Sequence, residues 1–190
     1  YKVIAGMKPV PVEPGMKSDP WGTGHTSMLL GEYYHATGDR NVLPYLKYQC
    51  DLSAESQLKP PSDTKGNWEA AHTEMQVGGW RHNSHTAPDR WKSGYGLLPH
   101  AGMGCVMGMQ LAREAGLEID EVALARGIKH FNYKRAEMGY VLYSYNNLWK
   151  DSPDPIDPVA ESKGMLWSMN GKLGMAASLF TMLDQYPASV

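Results

Sequence analysis

Ser27-Met-Leu-Leu-Gly-Glu-Tyr-Tyr-His-Ala-Thr-Gly38-Asp39 reads as an apolar helix, a glycine stop and the cap of a second helix, whose apolar positions follow at Val42, Leu43, Leu46 and Cys50. The same order returns at Met107-Gly-Met-Gln-Leu-Ala-Arg-Glu-Ala-Gly116, followed by Asp120, Val122, Leu124, Ile128 and Phe131. It begins a third time at Asn170-Gly-Lys-Leu-Gly-Met-Ala-Ala-Ser-Leu-Phe-Thr-Met-Leu183. One helical hairpin cannot bury its own apolar stripe, so repeated hairpins must stack on each other. The repeat predicts an all-α fold.

Local signals give the elements. A first helix is expected over roughly 24–37, capped by Thr23 or by the Thr26/Ser27 pair and stopped by Gly38, which takes the left-handed position cheaply. Asp39 caps a second helix over roughly 40–57, with Pro44 tolerated near its first turn. A third helix runs over roughly 99–115 with Pro99 at its start, a fourth over roughly 121–134 behind Asp120, and a fifth over roughly 170–184. Pro9, Pro11, Pro14 and Pro20, with Gly6 and Gly15, deny residues 1–22 a helix and make them an extended lead-in. Gly104 and Gly108 lie one turn apart on one helix face. Each costs about 1 kcal/mol against alanine, and the expected return is close packing against another helix.

The 190 residues, 42% hydrophobic and 20% charged, suit one folded domain able to bury a core without staples. A net charge of −2 without a basic run excludes a nucleic-acid footprint. No apolar stretch is long enough to span a bilayer. Cys50 and Cys105 fall inside expected helices, where free cysteine acts as a small hydrophobe. The chain opens at Tyr1 and stops one helix into the third copy, so a longer protein with further domains is expected around it.

All six tryptophans, Trp21, Trp68, Trp80, Trp91, Trp149 and Trp167, fall outside the expected helices. Long connections at 58–96 and 135–169 carry most of them, with Tyr95, Tyr140, Tyr143 and Tyr145. Loops of that length are usually functional or disordered, and aromatic-rich ones are poor candidates for disorder. The inserts either plug one end of the helical layer or line a concave mouth where aromatic faces stack on a ligand. Trp80, Trp91, Tyr143, Tyr145 and Trp149 form the expected ligand-binding set.

Among polar residues, His100, Tyr95, Arg81 and Lys172 are the best candidates for a catalytic set at one end of the helices, a His or Tyr base with a cationic partner. His82 and His85, with His72, Glu74 and Asp89 nearby, are weak metal candidates. Zinc needs three or four converging ligands, and no metal or other cofactor is expected. Asp151, Asp154, Asp157 and Glu161 read as a proline-rigidified loop, and alternatively as a carboxylate pair.

The hairpins, together with Gln76-Val-Gly-Gly-Trp80-Arg81, resemble the prenyltransferase and squalene-cyclase-like α/α toroids. The stretch from Ser93-Gly-Tyr-Gly96 through Leu111-Ala-Arg-Glu-Ala-Gly116 and Gly127-Ile-Lys-His-Phe131 to Asn170-Gly-Lys-Leu-Gly-Met-Ala-Ala177 is similar to an uncharacterised bacterial domain family of that superfamily. The resemblance implies an α/α-toroid segment over 23–190, a partial ring of stacked hairpins with two aromatic-rich inserts, often within a secreted protein. It implies no reaction: the Asp-x-Asp-Asp run of the cyclases and the zinc ligands of the protein prenyltransferases have no counterpart. Two functions follow as expectations. One is a domain that binds a glycan or peptide segment, or another small molecule, in an aromatic-lined site. The other is a carbohydrate lyase or hydrolase using a His/Tyr or carboxylate acid/base.

Overall fold

The structure, a computed structural model, describes residues 8–14, 16, 18–60, 62, 76–81, 99–134 and 174–183. These residues are mostly helical: α1 (Pro20–Thr37), a 3-10 turn (Arg40–Val42), α2 (Leu43–Glu55), α3 (Pro99–Glu114), α4 (Glu121–Lys134) and α5 (174–182). Among the described residues there is no strand; positions 59 and 81 are single bridge residues. The expected all-α class stands.

Most helix ends lie where local chemistry put them. Gly38, at φ +69°, closes α1 by donating its N–H to the Tyr34 carbonyl at 2.7 Å. Asp39 then accepts from the Asn41 N–H at 3.0 Å and starts the next turn. Gly116, at φ +78°, closes α3, and the Leu117 N–H reaches back to the Ala112 carbonyl at 3.0 Å. Asp120 caps α4, its carboxylate accepting from the Ala123 N–H at 2.8 Å.

The start of α1 corrects the sequence reading. The helix begins at Pro20, four residues before the expected start, and its cap is Asp19, whose carboxylate accepts the Trp21 N–H at 3.1 Å. Proline at the first helical position is pre-set for the helix and lacks only a donor that would be unpaired anyway. Pro20 therefore opens a helix that it was expected to forbid, and Trp21 lies on α1 rather than in a lead-in.

The centre of the fold is α3, buried without a break from Ala101 to Ala112. A helix that is apolar all round belongs in an interior. It runs parallel to α1. Gly24 lies against Ala101 and Cys105, Ser27 against Gly108, and Gly31 against Leu111. A Cβ on Gly24 would stand 2.8 Å from the Cys105 amide nitrogen and 3.0 Å from the Ala101 carbonyl. A Cβ on Gly108 would overlap the Ser27 hydroxyl. Gly104 and Gly108 thus serve close backbone approach, and Gly24 and Ser27 of α1 are the surface they meet. Further along, His35 Nε2 donates to the Leu111 carbonyl at 3.1 Å and ties the C-terminal half of α1 to α3.

Both cysteines are free thiols inside this core. The Cys105 S–H donates to the Pro20 carbonyl across 3.6 Å. Burial pushes the Cys105 thiol from 9.0 up to about 12, against the opposing hydroxyls of Ser53 and Thr23, and it pushes Cys50 further still. These are core thiols rather than nucleophiles. In the unfolded chain Cys105 ionises near its ordinary value, while in the fold it keeps its proton. Its contribution is therefore intact below pH 9 and is lost as pH rises from 9 towards 12. Cys105→Ala is expected to flatten the fall of urea stability over that window by about 1.4 kcal/mol per pH unit. Comparing the two proteins at each pH cancels Arg81, whose lowered value acts with the opposite sign. Identical slopes would show that the thiol is not sealed.

Candidate functional site

Trp21 and His25 stand one turn apart on α1, so they share a face. The parallel register of α1 and α3 sets Gly24 beside Ala101, which brings the second residue of α3, His100, to the same place. Three rings meet there. Trp21 and His25 lie 5.6 Å apart with planes 12° from parallel, Trp21 and His100 5.2 Å apart at 33°, and His25 and His100 5.9 Å apart at 24°. A column of three stacked rings would hold its outer members about 7 Å apart, twice the contact distance of carbon atoms. These three separations are nearly equal, so the rings form a compact triangle with roughly aligned planes. All three side chains are half-buried.

The polar edges of this platform are partly committed. His25 Nδ1 lies 2.8 Å from the Trp21 carbonyl oxygen. A carbonyl only accepts, so Nδ1 carries the proton. Asp19 stands at the foot of the same turn, with its carboxylate on the α1 cap.

Of the four residues expected to be catalytic, the structure describes His100 and Arg81. His100 belongs to the platform. Arg81 is 5% exposed, and burial pulls its guanidinium down to about 9, which leaves it charged at neutral pH. Tyr95 and Lys172 lie outside the described residues, as do Trp91, Tyr143, Tyr145, Trp149, His82 and His85.

Trp80 is placed otherwise than expected. It is 1% exposed, and its indole N–H donates to the Ser53 carbonyl at 2.8 Å. Its ring occupies space left by two glycines: a Cβ on Gly102 of α3 would stand 2.8 Å from it, and one on Gly127 of α4 3.0 Å. The backbone around it forces this. Leu58 and Gly79 are joined at 2.9 Å, and Gly78 and Leu58 at 2.8 Å. The Gln57 amide donates to the carbonyls of Gly78 and Ala123, at 3.2 and 2.9 Å, and His130 Nδ1 donates to Val77 at 3.2 Å. Gly78 has φ +86°, and a Cβ there would overlap the Arg126 carbonyl. The segment 76–81 is thus clamped between the end of α2 and α4, and it drives Trp80 into the core. Its ring is a structural post and offers no face to a ligand.

Sequence reasoning missed Trp21 and His25. The available signal was Asp19-Pro20, a cap residue followed by a first-position proline, which places Trp21 and His25 on one helical face.

Among the described residues, no group of three His, Cys, Asp or Glu side chains is arranged to hold a metal, and no helix is long and apolar enough to cross a membrane. Residues 3–190 match the family described as Domain of unknown function (DUF6288). No curated protein and no solved structure matches the chain.

Proposed function

We propose, for a chain that belongs to the DUF6288 family, that the Trp21–His25–His100 platform holds a glycan. The observation that carries this reading is the triangle of three rings at the joined N-terminal ends of α1 and α3, two pairs stacked and one tilted. An indole face stacks on the apolar face of a sugar ring, and imidazole edges give and take hydrogen bonds with its hydroxyls. Trp91, Tyr95, Tyr143, Tyr145 and Trp149 of the two inserts, and Lys172 of the expected fifth helix, extend this surface in the same proposal. The larger architecture we propose is the partial α/α toroid over 23–190. Its support is that α1 and α3, the first helices of successive hairpins, run parallel and in contact.

A glycan array probed with the wild-type chain and with Trp21→Ala tests the reading. Wild type is expected to give discrete signals, and Trp21→Ala to lose them about tenfold or more while keeping its helical circular dichroism. A tenfold loss corresponds to about 1.4 kcal/mol. Equal signals from both proteins, or none from wild type, would overturn it.

The enzymatic alternative, a lyase or hydrolase, draws on the closeness of His25 and His100. Incubating the chain with the glycans it retains and assaying new reducing ends separates it from binding alone.

A further inference from the structure

We infer that His25 is the obligate hydrogen-bond acceptor of the platform, so that the site selects neutral sugars, which donate a hydroxyl there, over uronate-bearing ones. The inference rests on the glycan reading above and specifies its ligand.

His25 Nδ1 and the Trp21 carbonyl oxygen are 2.8 Å apart, and the oxygen has no proton to give. In a neutral imidazole one nitrogen bears the proton and the other bears a lone pair. With Nδ1 spent on the carbonyl, Nε2 is left as the acceptor. No hydrogen bond from the described residues reaches that atom, and it is not among the sealed polar atoms of the interior. Among the described residues it is unspent.

A ligand group that meets Nε2 must bring a proton. A sugar hydroxyl does. A carboxylate brings only lone pairs, and this disfavours a uronate at this position. The backbone carbonyl is therefore a specificity device: it sets the tautomer, and the tautomer sets the class of ligand.

The test has two arms, both at pH 8.5. In the first, long-range 15N–1H correlation spectra of the chain labelled at histidine nitrogen read the tautomer of His25. Protonated Nδ1 with bare Nε2 is expected; the reverse overturns the inference. In the second, a glycan array carrying matched neutral and uronate-bearing chains is probed with wild type, His25→Gln and His25→Ala. Wild type is expected to bind neutral glycans at least about tenfold better than their uronate counterparts, and His25→Gln, which offers a carbonyl acceptor but no ring, to retain more neutral-glycan signal than His25→Ala. His25→Ala is expected to lose about tenfold or more. Uronates bound as well as neutral chains, or alanine serving as well as glutamine, removes the specificity and leaves the glycan reading standing. An array silent with wild type removes both.

Discussion

Trp80→Ala is expected to lower the free energy of unfolding by about 3–5 kcal/mol, the usual cost of deleting a large buried aromatic. Against a total of about 5–15 kcal/mol for a domain of this kind, that is a large share. Two losses combine. The ring fills the space that Gly102 and Gly127 leave between α3 and α4, and removing it opens a cavity that clamped backbone cannot close. The Ser53 carbonyl also loses its shorter hydrogen bond and keeps only the Ser56 hydroxyl as a side-chain donor, at 3.1 Å. Trp80→Phe keeps a ring but no N–H, and is expected to cost less, about 1–3 kcal/mol. Urea denaturation followed by circular dichroism measures both. A Trp80→Ala midpoint close to wild type would mean that the indole is not the post between these helices.

The glycines of α1 and α3 give a second large effect with a built-in control. Alanine is the better helix former by about 1 kcal/mol, so a glycine in open helix should gain stability on that change. Gly22 is such a site: its Cβ would meet only the Asp19 carboxylate, at an ordinary 3.6 Å. Gly22→Ala is expected to stabilise. Gly24→Ala and Gly108→Ala are expected to destabilise, by about 1–3 kcal/mol each after the propensity gain is overcome. At Gly24 the obstacle is the backbone of Cys105 and Ala101, and at Gly108 it is Ser27, whose Cβ would stand 2.5 Å away. Neither can yield without parting the helices. Once parted, they accommodate a second methyl more cheaply, so the double variant should lose less than the sum. Stabilisation by all three changes would refute backbone contact between α1 and α3.

What the sequence disclosed was what short-range chemistry decides. Gly38 and Asp39, and Gly116 and Asp120, each act within a few residues, so the helix ends they make were legible. Gly104 and Gly108 were legible as a contact face because their spacing alone puts them on one side. Their partners Gly24 and Ser27 were not, since nothing local says that α1 rather than another helix lies opposite. Trp80 was misplaced for a related reason. A tryptophan in a non-helical segment suggests a rim, but its position depends on Gln57, Ala123 and His130, which are distant in sequence and grip the segment from two sides. His100 was legible as a ring at a helix start, whereas its neighbours Trp21 and His25 were hidden by the four prolines around the start of α1. The error was to weigh Pro20 as a breaker when Asp19 made it a beginning. The platform needs both the corrected start of α1 and the parallel register with α3, and only the first was within reach of sequence.

The N-terminal ends of α1 and α3 meet through glycine and gather Trp21, His25 and His100 into one surface. Proton–proton NOE spectra of the chain examine this contact. Ring-proton cross-peaks linking all three side chains are expected, accompanied by cross-peaks from the Gly24 α-protons to the Cys105 amide. Cross-peaks joining Trp21 and His25 alone, with His100 and the Gly24–Cys105 pair silent, would contradict it.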